Sequence, residues 1–377
     1  MQIGVPREQE SNEKRVALVP DDVKKLVRMG AEVCVEAEAG RKAGFSDDLY
    51  RGAGAEISAE RSKLLAESDV VLRVRKPPED EVGALKKGAI HVSFLDPFNE
   101  TALIESLRGS GATAISMEMI PRTTLAQKMD ALSSQANLAG YVMVILGCSK
   151  LPTILPMMMT PAGTLKPATV FIIGAGVAGL QAIATARRLG AKVVAFDTRA
   201  VVAEQVESLG AKFLEIDLGE TGQTKDGYAV ELTPEQRNKQ LEGQKKQIAE
   251  SDVVITTAQV FGRKPPVIVT ADMVKEMKPG SVIVDMAAET GGNVEGSVPG
   301  ETIEVNGVTI IGNGNWTNVV ARDASVMYSA NLRNLIDEFW NEEAKEIALD
   351  FENEIVSGCV ITHGGEVVNE TIKNLNK

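Results

Sequence analysis

The stretch that decides the fold is Val170-Phe171-Ile172-Ile173-Gly174-Ala175-Gly176-Val177-Ala178-Gly179. An apolar run ends at a glycine-rich turn, and residues 177–189 then have the spacing of a helix. A second apolar run, Lys192–Phe196, ends at Asp197, 18 residues after Gly179. A strand, a glycine turn, a helix and an acid-ended strand in this order predict a dinucleotide-binding unit.

Each glycine of this turn has a physical task in such a unit. Gly174 permits the tight turn, Gly176 lets backbone amides approach a pyrophosphate, and Gly179 lets helix and strand pack closely. The helix N-terminus supplies positive potential for the phosphates. The residues that we expect to contact the nucleotide here are Gly174, Gly176, Val177, Ala178, Gly179, Asp197, Thr198 and Arg199.

Asp197 and Arg199 point to opposite nucleotide preferences. Asp197 can accept hydrogen bonds from both ribose hydroxyls and would repel a 2′-phosphate, which favours NAD. Arg199 could hold a 2′-phosphate, which favours NADP. Because Asp197 lies directly at the strand end, we give the carboxylate more weight and predict NAD(H).

Strand and helix patterns alternate on both sides of this stretch. Apolar runs occur at 3–5, 31–35, 70–74, 91–94, 113–117, 212–216, 253–256, 281–285 and 309–311. Helical patterns occur at 20–29, 59–67, 102–109, 201–209 and 234–249. This alternation predicts an α/β protein with two Rossmann-like domains, each with a mostly parallel sheet, joined by long helices.

Two segments decide the expected domain boundaries. The polar stretch 122–135 leads into an apolar one, which predicts a loop and then a long helix, followed by an irregular connector at 156–167. Residues 324–347 have the pattern of one long amphipathic helix, long enough to return to the first domain. We therefore expect residues 1–132 with 324–377 to form an N-terminal domain, and 133–323 an NAD(H)-binding domain.

Composition limits the classes of function. A net charge of −12 leaves no basic stripe for nucleic acid, and three scattered cysteines predict neither a disulfide framework nor a metal site. No apolar run approaches the ~18 residues of a membrane span, and the N-terminus lacks the pattern of a signal peptide, so a cytoplasmic location is expected. We interpret Met157-Met158-Met159 as core filling, and Gly312-Asn313-Gly314-Asn315 as a crossover turn.

Residues 122–141 (RTTLAQKMDALSSQANLAGY) resemble the signature loop of the NAD(H)-binding component of proton-translocating NAD(P) transhydrogenase. The resemblance covers essentially the whole chain. It includes the sequences GVPRE at 4–8, GAGVAGLQA at 174–182, DGYA at 226–229 and MKPGSVIVD at 277–285. Two segments, 259–265 and 313–318, depart from the family pattern.

The resemblance implies a set of site residues and partners. It implies that Arg122, Gln127, Asp130 and Ser133 hold the nicotinamide end of NADH. It also implies that a mobile loop with Gly227 and Tyr228 closes over the nucleotide, and that Gln240 contacts it. The chain would be a homodimer, with NADP(H) bound only on a partner subunit and a membrane-spanning subunit conducting protons. It would lie in the cytoplasm, attached to the inner face of the membrane through these partners.

The residues agree with this reading for a chemical reason. Passing hydride from one nicotinamide C4 to another moves no proton at the reacting centre, so the site needs orientation at about 3–3.5 Å and no acid–base group. Arg122, Gln127, Asp130 and Ser133 are suited to hydrogen-bonding a carboxamide and a ribose. The alternative for these four residues is that they cap a helix.

Two other functions stay open at this point. Alanine dehydrogenase shares the two-domain plan, and its early Arg is matched by Arg15. However, Arg75 stands where that family has a substrate-binding Lys, and Asp96 stands where it has an acid–base His. We expect His91 to be structural, at the wrong offset for a relay, and His363 to lie in a surface turn. The other function is that of a catalytically silent NAD sensor.

Overall fold

A computed structural model of the chain describes residues 1–219, 221–223, 229–259 and 262–375. The chain forms two units, Met1–Gln135 with Val320–Lys377, and Ala136–Val319. The sequence placed these boundaries at 132/133 and 323/324. The predicted α/β fold with mostly parallel sheets is confirmed.

The first unit begins with six parallel strands that alternate with helices. The strands are β1 (Gln2–Val5), β2 (Glu32–Glu36), β3 (Glu56–Ser58), β4 (Val70–Leu72), β5 (Ile90–Ser93) and β6 (Thr113–Ser116), in the spatial order β6-β5-β4-β1-β2-β3. The helices are α1 (Pro20–Met29), α2 (Asp47–Ala53), α3 (Arg61–Glu67), α4 (Glu79–Val82) and α5 (Thr101–Ser110). Gly30 ends α1 with a φ of +102°, as glycine at a helix C-terminus commonly does.

Helix α6 (Ala131–Ser149) begins in the first unit and continues into the second. By length and composition it is apolar enough to cross a membrane, contrary to the expectation that no stretch would be. Val142, Met143 and Val144 are buried, and a Cβ on Gly140 would lie 2.2 Å from the carbonyl oxygen of Ala178. Within the second unit this part of α6 therefore packs as a core helix.

The second unit has a seven-stranded sheet. Its elements are the hairpin β7 (Met158–Thr160) and β8 (Gly163–Leu165), then β9 (Thr169–Ile173), α7 (Val177–Arg188), β10 (Lys192–Phe196), α8 (Ala203–Ser208), β11 (Lys212–Phe213), α9 (Pro234–Glu250), β12 (Val253–Thr256), α10 (Ala271–Glu276), β13 (Val282–Asp285), β14 (Thr302–Val305) and β15 (Val308–Ile311). The strand order is β11-β10-β9-β12-β13-β15-β14, and only β14 pairs antiparallel in this described sheet. The first five strands have the 3-2-1-4-5 order of dinucleotide-binding folds.

The chain then returns to the first unit. The remaining elements are α11 (Ala321–Phe339), β16 (Trp340–Asn341), β17 (Glu346–Ile347), α12 (Glu354–Cys359), β18 (Val360–His363), β19 (Glu366–Val367) and α13 (Glu370–Leu375). Strand β18 pairs antiparallel with β6, and β19 with β18, which completes an eight-stranded sheet.

The prediction of one helix over residues 324–347 was wrong at its C-terminal end. The helix stops at Phe339, and Trp340 pairs with Ile347 in a hairpin. The side-chain oxygen of Asn341 accepts hydrogen bonds from the backbone amides of Glu343 and Ala344, each at 3.0 Å. Such a turn competes with the helix, and apolar periodicity does not report it.

Two further interpretations need correction. The connector at 156–167 contains the hairpin β7–β8, and Met157, Met158 and Met159 are 60%, 46% and 74% exposed, so they do not fill the core. His363 is the last residue of β18, directly before a turn at Gly364, and is exposed. Its Nδ1 lies 3.0 Å from the hydroxyl of Thr113.

Candidate nucleotide-binding site

The glycine-rich turn follows β9 at its carboxyl end, beside the end of β10, in a register that pairs Ile173 with Phe196. Gly174 has a φ of +102°, a conformation that favours glycine. A Cβ on Gly179 would lie 1.9 Å from the carbonyl oxygen of Gly174, so α7 can approach β9 this closely only with glycine there. These two glycines are required by the packing of the unit itself.

Gly176 differs from them, because the fold does not require glycine at its position. Its φ is −79°, and a Cβ there would meet no atom within 4 Å. It directly precedes α7, whose first amides have no acceptor within the helix. Open space in front of such amides fits an anionic pyrophosphate, so this turn can hold a dinucleotide.

The carboxylate of Asp197 is held by four hydrogen bonds. Oδ2 accepts from the backbone amide of Ala175 at 2.7 Å and from Arg199 Nη2 at 2.8 Å. Oδ1 accepts from the backbone amide and the Nε of Arg199 at 2.8 and 2.9 Å. The hydrogen bonds to Asp197 raise the pKa of Arg199, which stays charged. Each oxygen of a carboxylate has two lone pairs, so Arg199 orients Asp197 without removing it as the expected ribose acceptor.

A cavity of about 280 Å³ lies beside this pair in the second unit. Asp197, Thr198, Phe213 and Ile216 line it at the ends of β10 and β11. A mixed apolar and polar lining next to the ribose-binding carboxylate is suited to the adenosine part of a dinucleotide. Gln240 is buried on α9, whereas Gly227 and Tyr228 lie outside the described residues.

Thr257 supports the turn, and the sequence analysis missed it. Its backbone amide donates to the carbonyl of Ile173 at 2.8 Å, and its hydroxyl donates to that of Gly174 at 3.0 Å. Thr257 directly follows β12, the strand that pairs with β9 on the side opposite β10. The sequence signal is a threonine directly after a predicted strand, which alone is too common to single out.

The interpretation of residues 312–315 as a turn agrees with their packing. A Cβ on Gly312 would lie 2.4 Å from the carbonyl oxygen of Val298, and Gly314 has a φ of +74°. The indole of Trp316 donates to the carbonyl of Met286 at 3.2 Å. The backbone at Gly312 therefore faces another chain segment, where the backbone at Gly176 faces open space.

In the first unit the structure brings together Asp130 and Ser133 among the predicted nicotinamide-binding residues. Asp130 precedes α6, and its carboxylate accepts from the Ser133 amide at 2.8 Å and from the Ser133 hydroxyl at 2.5 Å. This is the helix-capping arrangement that the sequence analysis kept as an alternative. Arg122 and Gln127 lie on the preceding loop, and both side chains are exposed.

The loop that carries these residues is anchored to α11. The side-chain amides of Asn331 and Asn334 both donate to the carbonyl of Lys128, at 3.0 and 2.8 Å. Ala126 and Met129 are completely buried. Anchoring at these points fixes the loop from below, and sequence reasoning missed the two asparagines because they lie some 200 residues away.

The residues that match alanine dehydrogenase bind one another. Arg15 is buried and grips Glu13 through Nε at 2.8 Å and Nη2 at 2.7 Å, while Nη1 donates to Gln135 at 2.9 Å. Arg75 Nε also donates to Glu13, at 2.9 Å. Burial opposes the charge of Glu13, but its hydrogen bonds and charge interactions with Arg15, and its attraction to Arg75, lower its pKa to about 2. Glu13 thus stays ionised between the two guanidinium groups.

Neither candidate for a proton relay in this region has the required properties. Asp96 has a φ of +51°, and its carboxylate accepts from the side-chain amide of Asn99 at 2.8 Å. His91 is completely buried, with Nε2 3.1 Å from the hydroxyl of Ser93. Burial, and secondarily the charge of Arg73, lowers the pKa of His91 to about 3, so it stays neutral near pH 7. A buried neutral histidine that binds its own strand is structural.

We expect replacement of His91 by glutamine to flatten the acid limb of the stability curve. The pKa of His91 falls from 6.5 to about 3 on folding, so the unfolded chain binds more protons between these values. The wild-type free energy of unfolding should therefore fall by up to about 1.4 kcal/mol per pH unit as the pH drops from 6.5. Urea unfolding of both proteins at pH 7.5, 5.5 and 4.5 measures the difference, and parallel curves would show that His91 does not titrate in this way.

Comparison with known proteins identifies the family. Residues 4–139 match the model of the alanine dehydrogenase/PNT N-terminal domain, and residues 143–370 match that of the C-terminal domain. The chain belongs to the alanine dehydrogenase/PNT family. Within this family it is 44% identical, over 99% of both chains, to the first part of NAD(P) transhydrogenase subunit alpha from Rhodospirillum rubrum. The resemblance stated from the sequence is therefore confirmed.

Two further members of the alanine dehydrogenase/PNT family place the chain more closely. The crystal structure of transhydrogenase from Sinorhizobium meliloti superposes with a TM-score of 0.88 at 43% identity, covering 98% of this chain and 100% of the other. An alanine dehydrogenase of Halomonas elongata is 32% identical, over 86% of this chain and 84% of its own length. The alanine dehydrogenase is thus more distant than the transhydrogenases.

Proposed function

We propose that this chain is the NAD(H)-binding subunit of a proton-translocating NAD(P) transhydrogenase, and that hydride passes from NADH to NADP⁺ held on a partner subunit. The single observation that carries the proposal is the 44% identity to a transhydrogenase alpha subunit over 99% of both chains. The geometry supports it, because the two groups nearest to a dehydrogenase relay, His91 and Asp96, are unsuited to that role.

The second unit would hold the adenosine and pyrophosphate parts of the nucleotide. Gly176 leaves open space before the amides of α7, where the pyrophosphate would lie. Asp197, oriented by Arg199, would accept from the ribose hydroxyls, and the apolar wall with Phe213 and Ile216 would contact the adenine. Val177, Ala178, Thr198 and Gln240 belong to the same proposed set, as do Gly227 and Tyr228 by resemblance.

The first unit would aim the nicotinamide. Because Ser133 donates its hydroxyl proton to Asp130, its oxygen keeps lone pairs that can accept from a carboxamide N–H group. Arg122 and Gln127 would donate to the carboxamide oxygen or the ribose from the exposed side of the anchored loop. The nicotinamide supplies the hydride, and these residues supply orientation, which can account for most of the rate in such a reaction.

The assembly belongs to the proposal as well. We infer a homodimer, a partner subunit with bound NADP(H), and a membrane-spanning subunit that conducts protons and holds the complex at the inner face of the membrane. The names of the relatives support partner subunits, since these proteins are called subunit alpha, whole or divided into parts. In the described part of the chain no group of three or more histidine, cysteine or acidic residues could hold a metal ion, and the proposal requires none.

An isotope experiment tests direct transfer. The chain is mixed with the NADP(H)-binding subunit of a transhydrogenase, NADH deuterated at the transferred C4 position, and an NADP⁺ analogue with a shifted absorbance. Because no proton is exchanged at the reacting carbon, we expect the deuterium to arrive in the reduced analogue without dilution by solvent hydrogen. Transfer that loses the label to solvent, or no transfer in the presence of both nucleotides, would contradict the proposal.

A further inference from the structure

The fork of Arg199 is already occupied in the folded chain. Two side-chain nitrogens of Arg199 and the backbone amide of Ala175 converge on the two carboxylate oxygens of Asp197, within 2.7–2.9 Å. Arg199 and Asp197 are both largely buried, with side-chain exposures of 13% and 7%. A buried bidentate pair of this kind is oriented and strong.

The charges of the pair change the expected basis of nucleotide selectivity. Asp197 carries one negative charge and Arg199 one positive charge, so together they do not repel a 2′-phosphate as a lone carboxylate would. A phosphate presents the same two-oxygen edge to a guanidinium as a carboxylate does. The nitrogens that would bind a 2′-phosphate therefore exist here and are saturated by Asp197.

We propose that Asp197 occupies the place of a 2′-phosphate, and that Arg199 with the amide of Ala175 forms a latent binding site for that phosphate. The inference rests on the proposed NAD(H) site and specifies how this site rejects NADP(H). Exclusion comes from occupation of the fork by an internal carboxylate. Glu215 and Asp217 line the neighbouring cavity, and their negative potential opposes a phosphate there and limits the strength of the latent site.

A double-mutant cycle tests the latent site. NADH and NADPH affinities of the full chain are measured by nicotinamide fluorescence for the wild type, Asp197→Ala, Arg199→Ala and the double variant. We expect Asp197→Ala to bind NADPH about tenfold or more tightly than the wild type, since a charge-assisted hydrogen bond is worth at least this factor. The double variant should lose this gain, and Arg199→Ala alone should not bind NADPH more tightly.

The result that overturns the proposal is a double variant that binds NADPH as tightly as Asp197→Ala, or a folded Asp197→Ala with no gain. If Asp197→Ala does not fold, Asp197→Asn retains an acceptor for the Ala175 amide while removing the charge. Asp252→Ala is a matched control, because Asp252 also accepts from one backbone amide, at Thr169, and one cation, Lys278. Absence of NADH binding by the unmodified chain would instead refute the proposed function.

Discussion

Replacement of Arg122 by alanine is expected to lower the rate of hydride transfer about a hundredfold, while NADH affinity falls less than about fivefold. Displacement of reacting atoms by about 1 Å is sufficient for a loss of this size, whereas one exposed contact adds little to binding. Single-turnover transfer and NADH fluorescence titration measure the two effects separately. Arg122 lies on the anchored loop, and its side chain is exposed.

Arg51→Ala serves as the control for Arg122. Arg51 is also an exposed arginine of the first unit, and it pairs with Asp48 within the short helix α2. Its replacement should leave both quantities unchanged, since exposed ion pairs of this kind contribute little. Transfer at the wild-type rate by Arg122→Ala would remove that residue from the proposed site.

Alanine at Gly176 and alanine at Gly179 are expected to have opposite consequences. At Gly179 a Cβ would lie 1.9 Å from the carbonyl oxygen of Gly174, so the strand and helix must separate. We expect a loss of about 2 kcal/mol or more in the free energy of unfolding, at the upper part of the usual range for overpacking. At Gly176 the Cβ meets no atom within 4 Å, so stability should change by less than about 1 kcal/mol.

NADH affinity completes the comparison of the two glycines. Alanine at Gly176 places a methyl group where the pyrophosphate is proposed to lie, and we expect at least a tenfold weaker affinity, or about 1.4 kcal/mol. Urea unfolding and NADH titration of both variants provide the four values. If Gly176→Ala binds NADH as the wild type does, the pyrophosphate does not lie at this turn.

The sequence predicted the nucleotide-binding unit well because its signals are local. Glycine spacing, apolar runs and the acid at position 197 all lie within 28 residues, from 170 to 197, and the strand Lys192–Phe196 has the predicted bounds. The loop from Arg122 was recognisable by its resemblance to a family. Neither signal required knowledge of distant contacts.

What the sequence could not predict depends on partners far along the chain or on polar details of turns. Asn331 and Asn334 bind the Lys128 carbonyl across some 200 residues, and no local pattern marks them. The end of α11 at Phe339 depends on a side-chain turn at Asn341. The bidentate contact of Arg199 with Asp197 is a matter of rotamer, and from spacing alone the two residues only suggested opposing preferences.

The most direct test of the proposed function incubates the purified chain alone with NAD⁺ and L-alanine, and follows absorbance at the wavelength of reduced nicotinamide. Because His91 is buried and neutral and Asp96 is a weak base, we predict no NADH formation above the rate without alanine. Sustained alanine-dependent formation of NADH would contradict this prediction, since such turnover requires a residue that takes the proton of the substrate.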